Sequence, residues 1–168
     1  MRIEEKKTEL CFGDFDEKNC FHIEKSIIYN KLQNNRKVVE FILNKPEHNK
    51  LYFIEATKTL ANETNSHDYN TNMREKAQKF IDSFHLALSI WFEIHEDKNE
   101  LPTNYDNFFA KKKEYWFVLV IKNRPKNSLP NIKEMLVSKL IKDIKIWDFK
   151  VLVLNEELAK KYKIVIND

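Results

Sequence analysis

The hydrophobic pattern changes period several times along the chain, and each change marks an element. Residues 1–18 are polar with scattered apolar positions, and Phe12 and Phe15 around Gly13 suggest a turn or a short lead-in strand. In 21–29, Ile23, Ile27 and Ile28 have helical spacing, but alternation also allows a strand, so both readings stay open. A turn is expected at Asn34-Asn35, followed by a β-branched and aromatic strand over 38–43, a loop over 44–49 and a strand over 51–56. The short polar loop between these strands predicts an antiparallel hairpin.

Residues 61–71 are rich in Asn and Thr and read as a surface loop. From 72 to 96 the spacing becomes helical, with Ala77, Phe80, Ile81, Phe84, Leu88, Trp91 and His95 on one stripe. A charged loop over 97–113 follows, with a helical turn around 105–110, and then a nearly continuous apolar run over 115–121. Such a run predicts a strand buried on both faces. A loop over 123–130 leads to a second amphipathic helix over 131–146, striped by Ile132, Leu136, Leu140 and Ile144. A strand over 151–154, a short helix over 156–161 and a last strand over 164–166 complete the pattern. The order α-β-β-α-β-α-β predicts an α/β domain spanning 1–168, with a single mixed β-sheet flanked by helices.

Composition narrows the chemistry mainly by exclusion. The chain has 168 residues and one glycine, Gly13. Walker loops, dinucleotide fingerprints and G-x-S-x-G elbows need clustered glycines, so all three are excluded. Cys11 and Cys20 match no zinc spacing and are expected to be reduced thiols. The charged start of the chain is not expected to be a signal peptide, and no apolar run reaches the roughly 18 residues of a membrane span. The expected location is cytoplasmic. Net charge is +3 and unevenly spread. Residues 1–24 carry seven Asp/Glu against four Lys/Arg, whereas 98–150 carry twelve Lys/Arg against six Asp/Glu. A basic half of this kind suits a solvated surface or a phosphate-rich partner.

Two carboxylates stand out. Strand alternation puts Val38, Glu40 and Ile42 on one side, and Leu51, Phe53, Glu55 and Thr57 on one side of the next strand. Glu40 and Glu55 therefore lie on otherwise apolar faces. A buried unpaired carboxylate costs several kcal/mol, so each needs a partner. That partner is either a cation such as Lys25 or Arg36 in a structural network, or a hard divalent ion held between adjacent strands. His85 and His95 read as packed or half-exposed helix residues, and His67 as a loop residue. His22 is close to Glu24 in sequence. Trp91, Trp116 and Trp147 read as core. Tyr105, Phe108 and Phe109 before Lys111-Lys112-Lys113 are a weak stacking platform, and a loop packed on the sheet edge is the stronger reading.

The run Val38-Val39-Glu40-Phe41-Ile42-Leu43, a loop, and Tyr52-Phe53-Ile54-Glu55-Ala56-Thr57-Lys58 resembles the core of PD-(D/E)XK nuclease-like proteins. The resemblance covers roughly residues 20–121. It implies a restriction-endonuclease-like core of order α-β-β-β-α-β and Mg2+ or Mn2+ bound by Glu40 and Glu55. It also implies Glu24 as an additional acid from the first helix, and hydrolysis of DNA or RNA phosphodiesters. Thr57 stands where the family has its lysine. Lys58 is one position late and faces the opposite side unless a bulge re-aims it; Lys25 or Lys79 could supply the charge from a helix instead. Lys111, Lys112, Lys113, Lys122 and Arg124 are the expected phosphate contacts. The alternative implied by the altered motif is an inactive nuclease-fold subunit that binds a protein or nucleic acid, by analogy in a multi-component system such as antiphage defence.

Overall fold

The computed structural model describes residues 1–32, 36–61, 64–95, 100–105 and 113–166. The chain order is β1 (Ile3–Glu5), β2 (Leu10–Phe12), β3 (Cys20–Phe21), α1 (Ile27–Lys31), β4 (Phe41–Lys45), β5 (Lys50–Thr57), α2 (Ser66–Trp91), β6 (Glu114–Ile121), α3 (Leu129–Trp147), β7 (Lys150–Asn155) and α4 (Glu156–Lys161). β3 to β7 form a five-stranded mixed sheet in sequence order, and β1 and β2 form a separate two-stranded sheet. β3, β4 and β5 are antiparallel neighbours, and β5, β6 and β7 are parallel. The expected order α-β-β-α-β-α-β is present from α1 to β7. Two strands, not three, separate α1 from α2 in it.

Alternation sorts the sheet into two faces. Ile42, Leu51, Phe53, Phe117 and Leu119 pack with Met73, Phe80 and Phe84 of α2 and Ile132, Leu136 and Leu140 of α3. Phe41, Leu43, Tyr52, Ile54, Val118 and Val120 pack with Ile3, Leu10 and Phe12 of the N-terminal hairpin and Ala159 of α4. β6 is thus buried on both faces, as its apolar run requires.

Several boundaries differ from the sequence reading, each for a local reason. α2 begins at Ser66, inside the stretch expected to be a loop. Asn65 caps it by accepting a hydrogen bond from the Asp68 N–H at 3.4 Å, while Asn70 and Thr71 donate back to the carbonyls of Ser66 and His67. The Asn- and Thr-rich segment therefore satisfies helix ends and turns internally. α2 stops at Trp91 because Glu93 turns left-handed, at φ 51°. Among the described residues, five other non-glycine residues, including Asn49, Asn123 and Asp148, also have positive φ. Asn and Asp tolerate this region best, and a chain with one glycine has few alternatives.

The strand expected at 38–43 is shifted to 41–45. The N–H of Val39 donates to Ser83 Oγ on α2 at 2.8 Å. The Glu40 N–H still donates to the Ile54 carbonyl at 3.0 Å. The chain at 38–40 is thus shared between the sheet edge and α2. The last expected strand reduces to one bridge between Val165 and Phe12. Cys11 and Cys20 form no disulfide among the described residues. None of the three tryptophans is fully buried; Trp147 is 39% exposed at the end of α3, with its ring on Phe84. Among the described residues, no helix is long and apolar enough to cross a membrane.

Candidate functional site

Glu55 is the first anchor of the site. It lies near the C-terminal end of β5 on the face covered by α2, and it has no solvent exposure. Two lysines one helical turn apart on α2 reach it. Lys76 Nζ donates to Glu55 Oε1 at 2.7 Å, and Lys79 Nζ donates to Oε1 and Oε2 at 2.8 and 2.9 Å. The i, i+3 spacing puts both ammonium groups on one side of the helix.

Glu40 stands beside this network. Its neighbours Phe41 and Ile42 pair with Ile54 and Phe53 across the β4–β5 ladder. One step further, Glu40 is set opposite Glu55 on the α2 side. It is 6% exposed, and among the described residues its carboxylate accepts no hydrogen bond. Its ion-pair partner is Lys79 at 3.9 Å, beyond hydrogen-bond reach. Burial, followed by the charges of Glu55 and Glu24, pushes the Glu40 carboxyl up to about 9.

Glu24 arrives from the 3-10 turn Ile23–Lys25, just before α1, where Ser26 accepts the Tyr29 N–H at 3.0 Å as the helix cap. Its pKa is raised by burial, with Lys79 acting the other way and Glu55 and Glu5 reinforcing the shift. Burial works to lower the Lys79 pKa, but the charges of Glu55, Glu40 and Glu24 outweigh it and hold the ammonium above its ordinary value. Lys79 is thus a fixed cation among carboxylates. These side chains, with Lys76 and Glu5 of β1, line a cleft of about 650 Å³. One carboxylate oxygen each from Glu5, Glu24 and Glu40 lies within 4.8 Å of the others. An ion bonded to oxygens at about 2.0–2.6 Å spans roughly 3–5 Å between its ligands, so the three fit one divalent cation.

The structure brings Glu24, Glu40 and Glu55 into one cleft. Lys58 departs from the expectation. It follows β5 and lines the same cleft, but its Nζ sits 2.9 Å from Glu9 Oε1 rather than on Glu55 or Glu40. The β5–β6 register runs unbroken from Lys50–Glu114 to Thr57–Ile121, so no bulge re-aims it. Thr57 does not take over the lysine's role, because its hydroxyl donates to the Thr59 carbonyl at 2.9 Å. The cations that reach Glu55 come from α2: Lys76 and Lys79. Neither Arg36 nor Lys25 pairs with these carboxylates: Arg36 sits 3.5 Å from Asp82, and Lys25 is exposed.

Among the described residues, the expected phosphate contacts are divided between the two ends of β6. Lys111 and Lys112 lie outside the described residues, as do Phe108 and Phe109. Lys113 precedes β6 and donates to Asn44 Oδ1 at 3.1 Å. Lys122 and Arg124 follow β6 at its other end, roughly 25 Å away along an extended strand of this length. Lys122 is held by Glu9 at 3.0 Å, and Arg124 Nε is 3.3 Å from Ser128 Oγ. Tyr105 is no stacking platform. It is buried, and its hydroxyl donates to the Ile42 carbonyl at 2.7 Å, packing its loop on the sheet edge.

Sequence reasoning missed Glu5 and Lys76. Lys76 carries a usable signal, the shared helix face with Lys79 flanking Ala77 and Phe80. Glu5 carries none, since only tertiary packing of the hairpin brings it here. Comparison with protein-family models, curated proteins and solved structures finds no match.

Proposed function

We propose that this chain is a metal-dependent phosphodiester hydrolase of nuclease-like type, with Mg2+ or Mn2+ as cofactor and DNA or RNA as substrate. One observation carries the reading: the convergence of Glu24, Glu40, Glu55 and Lys79, drawn from four separate elements, in one cleft. Glu5, Glu24, Glu40 and Glu55 line the same cleft as Lys76 and Lys79. The PD-(D/E)XK-like arrangement of the core, with its lysine supplied by α2, belongs to this proposal.

The donor set is all oxygen, which suits a hard cation, and Glu40 is a buried acid whose cation partner Lys79 stands 3.9 Å away. The bound ion would lower the pKa of water and polarise the phosphoryl group. Glu24 and Glu40 would hold it. Lys79, kept charged by its carboxylates, would face the charge that develops on the phosphoryl oxygens. Glu55 orients Lys79 through its two hydrogen bonds. The water oxygen forms the new P–O bond, the P–O bond to the leaving oxygen breaks, and the water's proton leaves to solvent or a carboxylate. Lys7 and Lys37 line the cleft as contacts for flanking phosphates.

Incubation of plasmid and RNA substrates with Mn2+ or Mg2+ tests this reading. Wild type is expected to cleave, and Glu40→Gln and Lys79→Met to lose on the order of 100-fold or more in rate, as when a charge-stabilising group is removed. Cleavage unchanged in both variants overturns the site. The saturation of Glu55 by two lysines favours a second reading, a binding subunit in which the network is structural. Nucleic-acid or protein binding without cleavage decides for it.

A further inference from the structure

The N-terminal hairpin brings a carboxylate to each end of its turn. β1 and β2 pair from Ile3–Phe12 to Glu5–Leu10. The turn is closed by the Thr8 N–H donating to the Glu5 carbonyl at 3.2 Å and by the Lys7 N–H donating to Glu5 Oε1 at 3.0 Å. Glu9, at φ 54°, ends it. Glu5 points into the cleft beside Glu24 and Glu40. Glu9 points the other way, onto the C-terminal ends of the two central parallel strands. There it accepts hydrogen bonds from Lys58 Nζ, just after β5, at 2.9 Å and from Lys122 Nζ, just after β6, at 3.0 Å. Lys122 Nζ also donates to the Glu9 carbonyl at 3.1 Å.

Glu5 has no ion pair with a described residue, and it stands against two other acids. Three gathered acids cannot all ionise without repulsion unless a cation joins them. Glu40, more than nine-tenths buried and reached by Lys79 only at 3.9 Å, beyond hydrogen-bond distance, is aimed into the same cluster. An isolated cluster of this kind would relax by swinging a half-buried member such as Glu5 into water. The hairpin is instead anchored by two ammonium groups on the sheet.

Resting on the cation reading above, we propose that Glu5 is the third ligand of the divalent-cation site, and that Glu9, latched to Lys58 and Lys122, is the positioning residue that holds it across the cleft. Lys58, at the rim of the cleft, thereby serves the site indirectly, through Glu9.

Mn2+ titration of the full chain by calorimetry at fixed pH tests the assignment. Glu5→Gln is expected to weaken Mn2+ by at least about 10- to 100-fold, the scale on which even outer partners of metal ligands act. Glu9→Gln is expected to weaken it by about two- to tenfold, as suits exposed ion pairs. It should have no further effect when Glu5→Gln is already present. In wild type, Mn2+ should also slow amide hydrogen exchange at Glu5 and Leu10, a readout that needs no variant. Glu5→Gln binding Mn2+ as wild type does, while Glu40→Gln does not, overturns the inference and leaves the cation reading standing. An equal effect of Glu9→Gln with and without Glu5 overturns the latch. No Mn2+ binding by wild type removes the cation reading itself, and the inference with it.

Discussion

Replacing Glu40 by glutamine should stabilise the cation-free protein at neutral pH, although it removes a cleft residue. The Glu40 carboxyl is pushed from its ordinary 4.5 up to about 9, first by burial and then by the charges of Glu55 and Glu24. The unfolded chain has no such environment. Between those two values the folded protein keeps a proton that the unfolded chain has lost. The stability this gives is complete below pH 4.5 and is lost as pH rises toward 9. Each pH unit inside the window is worth about 1.4 kcal/mol, so moving from pH 5 to pH 7 removes roughly 3 kcal/mol. Glutamine is nearly the same size and cannot ionise. The Glu40→Gln protein should therefore lack this slope, and the stability difference between the two proteins should shift by roughly 3 kcal/mol in its favour over that interval. Urea unfolding followed by tryptophan fluorescence, at pH 5, 6 and 7 with a chelator present, measures it. Added Mn2+ should reverse the order at pH 7, because the ion binds only the glutamate form. Parallel stability curves for the two proteins across this range would refute the buried, proton-retaining Glu40.

Two further changes probe the frame of the site. Ser83→Ala removes the acceptor of the Val39 N–H, leaving a buried donor unpaired where the chain meets α2. A loss of about 1–3 kcal/mol is expected in urea unfolding. Lys163→Gly relieves a lysine held at φ 54° after α4. A gain of several tenths to about 1 kcal/mol is expected, seen as a melting temperature higher by roughly 1–3 °C.

Much of the frame was legible because hydrophobic period reports which face of an element is buried. Tyr115–Ile121, the Ile132–Leu136–Leu140 stripe and the short helix at 156–161 all appear where spacing places them. Alternation also put Glu40 and Glu55 toward one side. Periodicity is blind where polar side chains hydrogen-bond their own backbone, so the first turn of α2 read as a loop. It is blind again where another element takes over a strand's hydrogen bond, as Ser83 does at Val39.

By itself, then, the sequence determined the α/β alternation, the two apolar faces of the sheet and the pair of acids that intrude on one of them, because each follows from local spacing. Tertiary structure alone decided which groups meet those acids: Lys79 and Lys76 from α2, Glu24 from the turn before α1, and Glu5 from the hairpin. The physical reason is range. A strand or helix period acts over a few residues, whereas ion pairing between elements depends on how whole layers pack. No local signal in the chain encodes that a residue at position 5 and one at position 40 share a cleft.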